Sequence, residues 1–296
     1  MHIDRYLTTE EAAAYLKLKE RKIYDLAANG AIPASKVTGR WLFPRAALDR
    51  WIEGGLSLPD GVPAAEPPAI VGGSHDLLLE WALRRSSPGL ALLPEGSVTG
   101  LQRLVRNEVT AAAIHLHDAA GSEEANIAAV RAMPGLHDAV LIAFARREQG
   151  LVLVHGNPLG IASLSDAVMR RARFGLRQQG AGAQLLLESL LKRGALAFAD
   201  LTTAVGDFPS GSDLALAIRN GDVDCGIATR AVAAVNGLAF VPLAAERLDL
   251  VMRRRSYFEP PAQALMTTLR LSAFAQQATA FGGYDVSEAG TVRLNR

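Results

Sequence analysis

Cysteine is almost absent from this chain: Cys225 stands alone among 296 residues. A single thiol excludes an internal disulfide framework and a cysteine-rich metal site, and it reads as a small buried hydrophobe. Long apolar runs are missing too. Nothing approaches the roughly 18 consecutive apolar residues that cross a bilayer. The opening MHIDRYLTTEEAAAYLKL has no basic stretch leading into an apolar one, so no export leader is expected. The expectation is a cytoplasmic protein without a membrane partner. Charge of one sign is also lacking: 31 Lys and Arg stand against 30 Asp and Glu, a net +1 with His neutral. That excludes a generic polyanion binder, so any nucleic-acid surface has to be local. What the chain does have is apolar matter. Hydrophobic residues make up 49% and charged ones 21%, enough for a large core and about two domains.

Prolines and glycines gather in GGLSLPDGVPAAEPPA, residues 54–69, which reads as a semi-extended linker. Residues 1–53 then form a small domain and residues 70–296 a large one. The small domain is sharply punctuated. Threonines precede acidic residues in LTTEEAAAYLKL, the pattern of a capped helix start. After a short break at Lys17–Lys19, ERKIYDLAANG predicts a second helix with Gly30 as its stop. The segment IPASKVTGRWLFP alternates as a hairpin around a Thr-Gly turn, and Pro44 suits the start of a third helix. Trp41 and Trp51 are expected in the core, because so small a domain needs large residues to bury.

Two helices joined by a three-residue turn have the geometry of a helix-turn-helix, whose second helix can enter a major groove. Lys19, Arg21, Lys22 and Tyr24 lie on that second helix or at its start; Lys36, Arg40 and Arg45 lie on or beside the hairpin. Positive charge thus gathers where a groove-facing edge and a backbone-touching wing would be. The stretches LTTEEAAAYL, KIYDLAANGAIPASKV and GRWLFPRAALDRWI resemble the excisionase-like and MerR-like winged helix-turn-helix family over nearly all of residues 6–52. The resemblance implies binding of double-stranded DNA through the second helix and the wing. It departs at Lys22, where the family commonly has a small hydroxyl residue.

The large domain alternates short apolar strands with helical segments, which predicts an α/β fold with a mostly parallel sheet and ligand loops at the strands' carboxyl ends. AVLIAFARR and GLVLVHGN read as two separate strands. In LRQQGAGAQLLLESLL, glycines run into an uninterrupted helix, whose free N–H groups suit an anion. Ser74, Ser97, Thr99 and Thr229 sit at other predicted strand-to-helix junctions. Asp76 and His75 read as helix caps. The cluster His115, His117, Asp118 invites a metal, but no further ligands are evident.

Over its full length, residues 70–296 resemble the cytoplasmic type-2 periplasmic-binding-protein-like domain. The matching stretches include GGSHD, GSVTGL, QGLVLVHGNPLGI, RFGLRQQGAG, NGDVDCGIATRAVA and GGYDVSEAG. The resemblance implies two α/β lobes, the second at about residues 151–240, with two crossing segments and a cleft between. Related solute-binding proteins hold molybdate or tungstate with hydroxyls and backbone N–H groups. The carry-over places Ser74, Ser97, Arg177 and Gln178 at the ligand, beside the turn of Gly180, Ala181 and Gly182. The family's turn reads G-S-G-T followed by arginine, whereas here Ala181 and Ala183 replace the hydroxyl residues and Gln184 the arginine.

The combined expectation is a winged helix-turn-helix domain followed by a two-lobed sensor: a DNA-binding transcriptional regulator, not an enzyme. It would act as a homodimer or homotetramer and respond to a small-molecule or oxyanion effector in the cleft, with molybdate or tungstate favoured over a molybdenum-cofactor-related molecule, and with no cofactor. The alternatives are an enzyme on the same fold and a cytoplasmic solute-binding protein for a small organic ligand.

Overall fold

The computed structural model describes residues 5–36, 39–54, 66–86, 89–116 and 124–296. The chain divides into two compact units, Met1–Glu66 and Pro67–Arg296. Most of the expected linker, and His117 and Asp118 of the histidine cluster, lie outside the described residues.

The first unit runs β1 (Tyr6–Leu7), α1 (Thr9–Leu16), α2 (Glu20–Ala28), β2 (Phe43–Pro44) and α3 (Arg45–Gly54). Thr8 and Glu11 close a reciprocal capping box at the start of α1. Lys17, in the left-handed region at φ 53°, ends that helix, and Gly30 at φ 64° follows α2. Ile23 and Ala27, one turn apart on α2, pack with Ala12, Ala13, Phe43 and Leu48. The two sides of the expected hairpin meet at an antiparallel bridge between Ser35 and Leu42, its Val37–Thr38 segment lies outside the described residues, and Phe43–Pro44 pairs with β1. One expectation fails here. Trp51 is 38% exposed: Leu48, one turn earlier on α3, already fills the core, and Trp51 faces outward. Trp41 is half-buried against the core as expected.

The second unit begins with β3 (Ile70–Gly73), α4 (Leu77–Arg85), β4 (Ala91–Pro94), α5 (Ser97–Val105), β5 (Ala111–Ile114) and α6 (Ala125–Ala132). A long strand, β6 (Ala139–Leu153), leads to α7 (Leu164–Met169), β7 (Arg173–Arg177), α8 (Gly182–Arg193), β8 (Thr202–Phe208), α9 (Gly211–Asn220), β9 (Cys225–Thr229) and α10 (Arg230–Val235). A second long strand, β10 (Ala239–Arg253), returns to α11 (Arg254–Phe258), α12 (Pro260–Leu269), α13 (Ser272–Phe281), β11 (Tyr284–Asp285) and β12 (Val292–Asn295).

These strands form one sheet of order β4-β3-β5-β10-β6-β9-β7-β8, with β11 and β12 also paired to β6. Each flank is parallel, as its strand–helix alternation predicts. The centre is not: β10 runs antiparallel to both β5 and β6, and β6 to β9. The two segments read as separate strands, AVLIAFARR and GLVLVHGN, are one strand of 15 residues. Its polar middle, ARREQG, looked like a break because its side chains belong to a polar site and not to a turn. The long strands divide their pairing between the flanks: Asp249–Met252 of β10 joins β5, and Gln149–Leu153 of β6 joins β9. Helices cover both faces of each flank. Leu78, Phe144, Leu265 and Phe274 pack on one face of the first flank, and Leu101, Leu104, Ile114 and Ile127 on the other. Phe174, Leu186 and Ile227 on one side, and Leu214, Ile218 and Val232 on the other, do the same for the second. Each such side chain contributes about 1.5–3 kcal/mol by leaving water, so each half of the unit has its own core. The two halves meet at a polar crossing.

Candidate functional site

A cleft opens at that crossing. It holds about 520 Å3 of empty space, part of it open to solvent. The starts of five helices touch it: Leu77 of α4, Gly96 before α5, Gly182 of α8, Gly211 of α9 and Thr229 before α10. Parallel strands feeding helices produce this convergence, since each loop emerges at a strand's carboxyl end.

The five starts are not equivalent. Asp76 Oδ1 accepts from Leu78 N at 2.9 Å and Leu79 N at 3.0 Å and so caps α4. Ser210 caps α9, accepting from Asp213 N at 3.1 Å, and Thr229 caps α10, accepting from Val232 N at 3.4 Å. Neither α5 nor α8 has a side-chain cap. Their first N–H groups and positive dipole ends are therefore available to a guest. Glycine permits their close approach. At Gly96, φ is 90°, and a Cβ there would come within 3.0 Å of Gly180 O. A Cβ at Gly182 would overlap the His115 ring.

The floor of the cleft is an ion-pair network. Arg147 is fully buried and donates from Nη1 to Asp76 Oδ2 at 2.7 Å and from Nε to Glu246 Oε1 at 2.6 Å. Gln149, two residues along the same strand and hence on the same face, donates from Nε2 to Glu246 Oε1 at 2.9 Å. Tyr284 OH donates to Asp76 Oδ2 at 2.8 Å. Burial alone would lower the Arg147 pKa; Glu246 and Asp76 outweigh it and hold the guanidinium charged, above its ordinary value. Burial, and then the Asp76 charge, push the Tyr284 phenol well up, so it stays a neutral donor.

The wall carries a second arginine. Arg177, at the end of β7, donates from Nε to Phe208 O at 2.8 Å and from Nη2 to Pro209 O at 2.9 Å. It makes no ion pair with a carboxylate among the described residues. Burial lowers its pKa to about 10; the like charge of Arg147 acts the same way, and Asp213 opposes it. It remains charged at neutral pH, so the wall presents positive charge that carbonyl oxygens solvate but do not neutralise.

Of the residues singled out in the sequence, Ser74, Arg177, Gln178, Ala181, Gly182 and Thr229 line the cleft. Ser97 does not: it is 0% exposed and braces the loop from behind. Its Oγ accepts from His115 N at 3.0 Å, donates to His115 O at 3.2 Å, and lies 2.7 Å from Ser74 Oγ. Thr99 falls inside α5 and Gly180 shapes the turn at φ 79°; neither lines the cleft. Asp76 caps its helix as expected and also anchors the floor. His115 lines the cleft, but no group of three or more metal-ligating side chains occurs among the described residues. Arg147, Gln149 and Glu246 went unread in the sequence. An arginine and a glutamine at alternate positions within an apolar strand were the available signal. Cys225 is fully buried, and burial pushes its thiol up to about 12, so it is a core residue and not a nucleophile.

In the first unit, Lys19, Arg21, Lys22 and Tyr24 are all exposed on or at the start of α2, opposite Ile23 and Ala27. Tyr24 meets Trp41 edge-on at 6.5 Å, and Lys36 Nζ lies 5.3 Å from the centre of the Trp41 ring. Those contacts tie the base of the expected wing to the second helix. Arg40 is exposed, while the Arg45 guanidinium packs 4.8 Å over the Tyr15 ring.

Comparison with known proteins agrees with this division. A helix-turn-helix domain model matches residues 6–55, and the PBP superfamily domain model matches residues 81–270. The uncharacterized protein YvgK of Bacillus subtilis (strain 168) is 24% identical over 303 aligned residues, covering 97% of each chain. A solved periplasmic transporter overlays with a TM-score of 0.53 at 9% identity, covering 75% of this chain and 88% of its own, which is a likeness of fold. A mutant of OxyR from Corynebacterium glutamicum, solved with H2O2 bound, overlays with a TM-score of 0.48 at 16% identity, covering 93% of this chain and 89% of its own. With the superfamily model matched over more than half its length, the chain belongs to the PBP superfamily, and it carries a helix-turn-helix domain ahead of the superfamily domain.

Proposed function

We propose that this protein is a DNA-binding regulator whose cleft holds a small anion as effector. The observation that carries the reading is Arg177: a charged guanidinium without a carboxylate partner among the described residues, beside two helix starts without side-chain caps. An anion there gains a charge-assisted partner and backbone donors together. Molybdate and tungstate, implied by the sequence resemblance, are the first oxyanions to test. Ala181 and Ala183 withhold the hydroxyls that would grip them.

Both halves of the unit supply cleft residues, so a bound anion favours the form in which the halves are closed. It can alter DNA affinity only as far as it prefers that form. DNA is read by α2, with Arg21 and Lys22 facing phosphates or base edges, and a homodimer or homotetramer supplies the second reading head.

Two experiments test the proposal on the full chain. A thermal-shift panel of molybdate, tungstate, sulfate and phosphate should show stabilisation by at least one member, about 2.7 kcal/mol at a hundred times its dissociation constant. In salt titrations of DNA affinity, Arg21→Ala and Lys22→Ala should each flatten the slope by about 0.9 log units per log of salt if each touches a phosphate. A panel without any shift contradicts an inorganic oxyanion as effector, and unchanged DNA affinity in both variants contradicts the reading helix.

A further inference from the structure

The cleft is polar in two senses, and the second constrains the guest. Gln149 is 2% exposed and lines the cleft. A carboxylate can only accept, so the Gln149 amide must turn Nε2 toward Glu246, as it does at 2.9 Å. That fixes Oε1 on the other side of the amide, where it has no hydrogen-bond partner among the described residues. A buried acceptor left in this state is unfavourable, by the desolvation its lone pairs suffer. Arg147 uses Nη1 on Asp76 and Nε on Glu246, and Tyr284 donates to Asp76. Ser74 Oγ is engaged with Ser97 Oγ at 2.7 Å, a bond in which either hydroxyl can donate. The floor also holds two carboxylates around one guanidinium, whereas the wall holds Arg177 and the helix starts. The cleft therefore attracts negative charge at the wall and accepts hydrogen bonds at the floor.

We propose that the effector is a small anion that also carries a hydrogen-bond donor, received by Gln149 Oε1. An oxyanion protonated at neutral pH, or a carboxylate with a neighbouring hydroxyl, meets this requirement. Fully ionised molybdate, tungstate and sulfate do not, because none of them brings a donor to Gln149 Oε1. The inference rests on the anion-binding reading above and narrows the class of anion.

Calorimetric titration of the full chain at neutral pH with two matched pairs tests it. Phosphate carries an O–H that sulfate of similar size and shape lacks, and glycolate carries one that acetate lacks. In at least one pair the donor-bearing member should bind about tenfold tighter or better, and Gln149→Leu should reduce that preference. The phosphate pair and the glycolate pair separate a protonated oxyanion from a hydroxy acid. Binding that differs by less than about tenfold in both pairs, or favours the donor-free member, overturns the proposal and leaves the anion reading standing. A preference that survives intact in folded Gln149→Leu also overturns it. If none of the four binds, the anion reading fails and this proposal fails with it. The comparison within wild type needs no variant, so misfolding of Gln149→Leu does not blunt it.

Discussion

Two arginines line one cleft, and their surroundings make them opposites. Arg147 on the floor touches two carboxylates and is held charged by them despite full burial. Arg177 on the wall touches two carbonyl oxygens, and its pKa falls to about 10. The first has its charge matched internally and serves to join strands, since Asp76, Arg147 and Glu246 come from three segments of the chain. The second has charge to offer. Proximity to a cleft therefore does not mark a ligand residue; what marks it is interaction capacity left over after folding. The same contrast separates the helix starts, where α4, α9 and α10 are capped by their own side chains and α5 and α8 are not.

Removing the floor arginine should have the largest effect. Arg147→Met leaves Asp76 and Glu246 buried without a cation, and the expected loss is about 3–5 kcal/mol by denaturant unfolding. A loss under about 1 kcal/mol would mean the network is not a structural joint. Arg177→Gln should do the reverse. Anion affinity should fall by about tenfold to a hundredfold, with unfolding stability within about 1 kcal/mol of wild type. If stability fell as far as in Arg147→Met, the contrast between the two would collapse. Ser210→Ala removes one cap and should cost about 1 kcal/mol, without changing anion affinity. At the small end stands the partly exposed pair Arg173–Asp224, 2.7 Å apart. Hydrogen bonds from Arg173 lower the Asp224 pKa below its ordinary 3.8. Its contribution is therefore present above pH 3.8 and is lost as the pH falls through the lowered value. Asp224→Asn should reduce stability by less than about 1 kcal/mol at neutral pH, and the difference should vanish in strong acid.

The wall was legible in the sequence and the floor was not, for a physical reason. Arg177, the glycine turn and α8 are contiguous, so local rules for helix starts and anion sites reach all of them at once. The floor joins Arg147 to Glu246, 99 positions apart, and to Asp76, 71 apart. No local periodicity carries that information. The polar residues of the floor even hid the fold: ARREQG interrupts an apolar run and read as the end of a strand. The pairing of β2 was hidden for a related reason. Alternation predicts an extended segment but not its partner, and Phe43–Pro44 found β1. Ser97 was selected as a loop hydroxyl, but its contacts with Ser74 and His115 depend on packing that the loop's own sequence does not encode.

The most direct test of the central claim is titration of the full chain and of Arg177→Gln with phosphate, sulfate, glycolate and acetate, read by calorimetry. The account predicts that at least one binds wild type saturably and that the same anion loses at least about tenfold in affinity to a folded Arg177→Gln. Binding that is absent throughout, or equal in the two proteins, would contradict it.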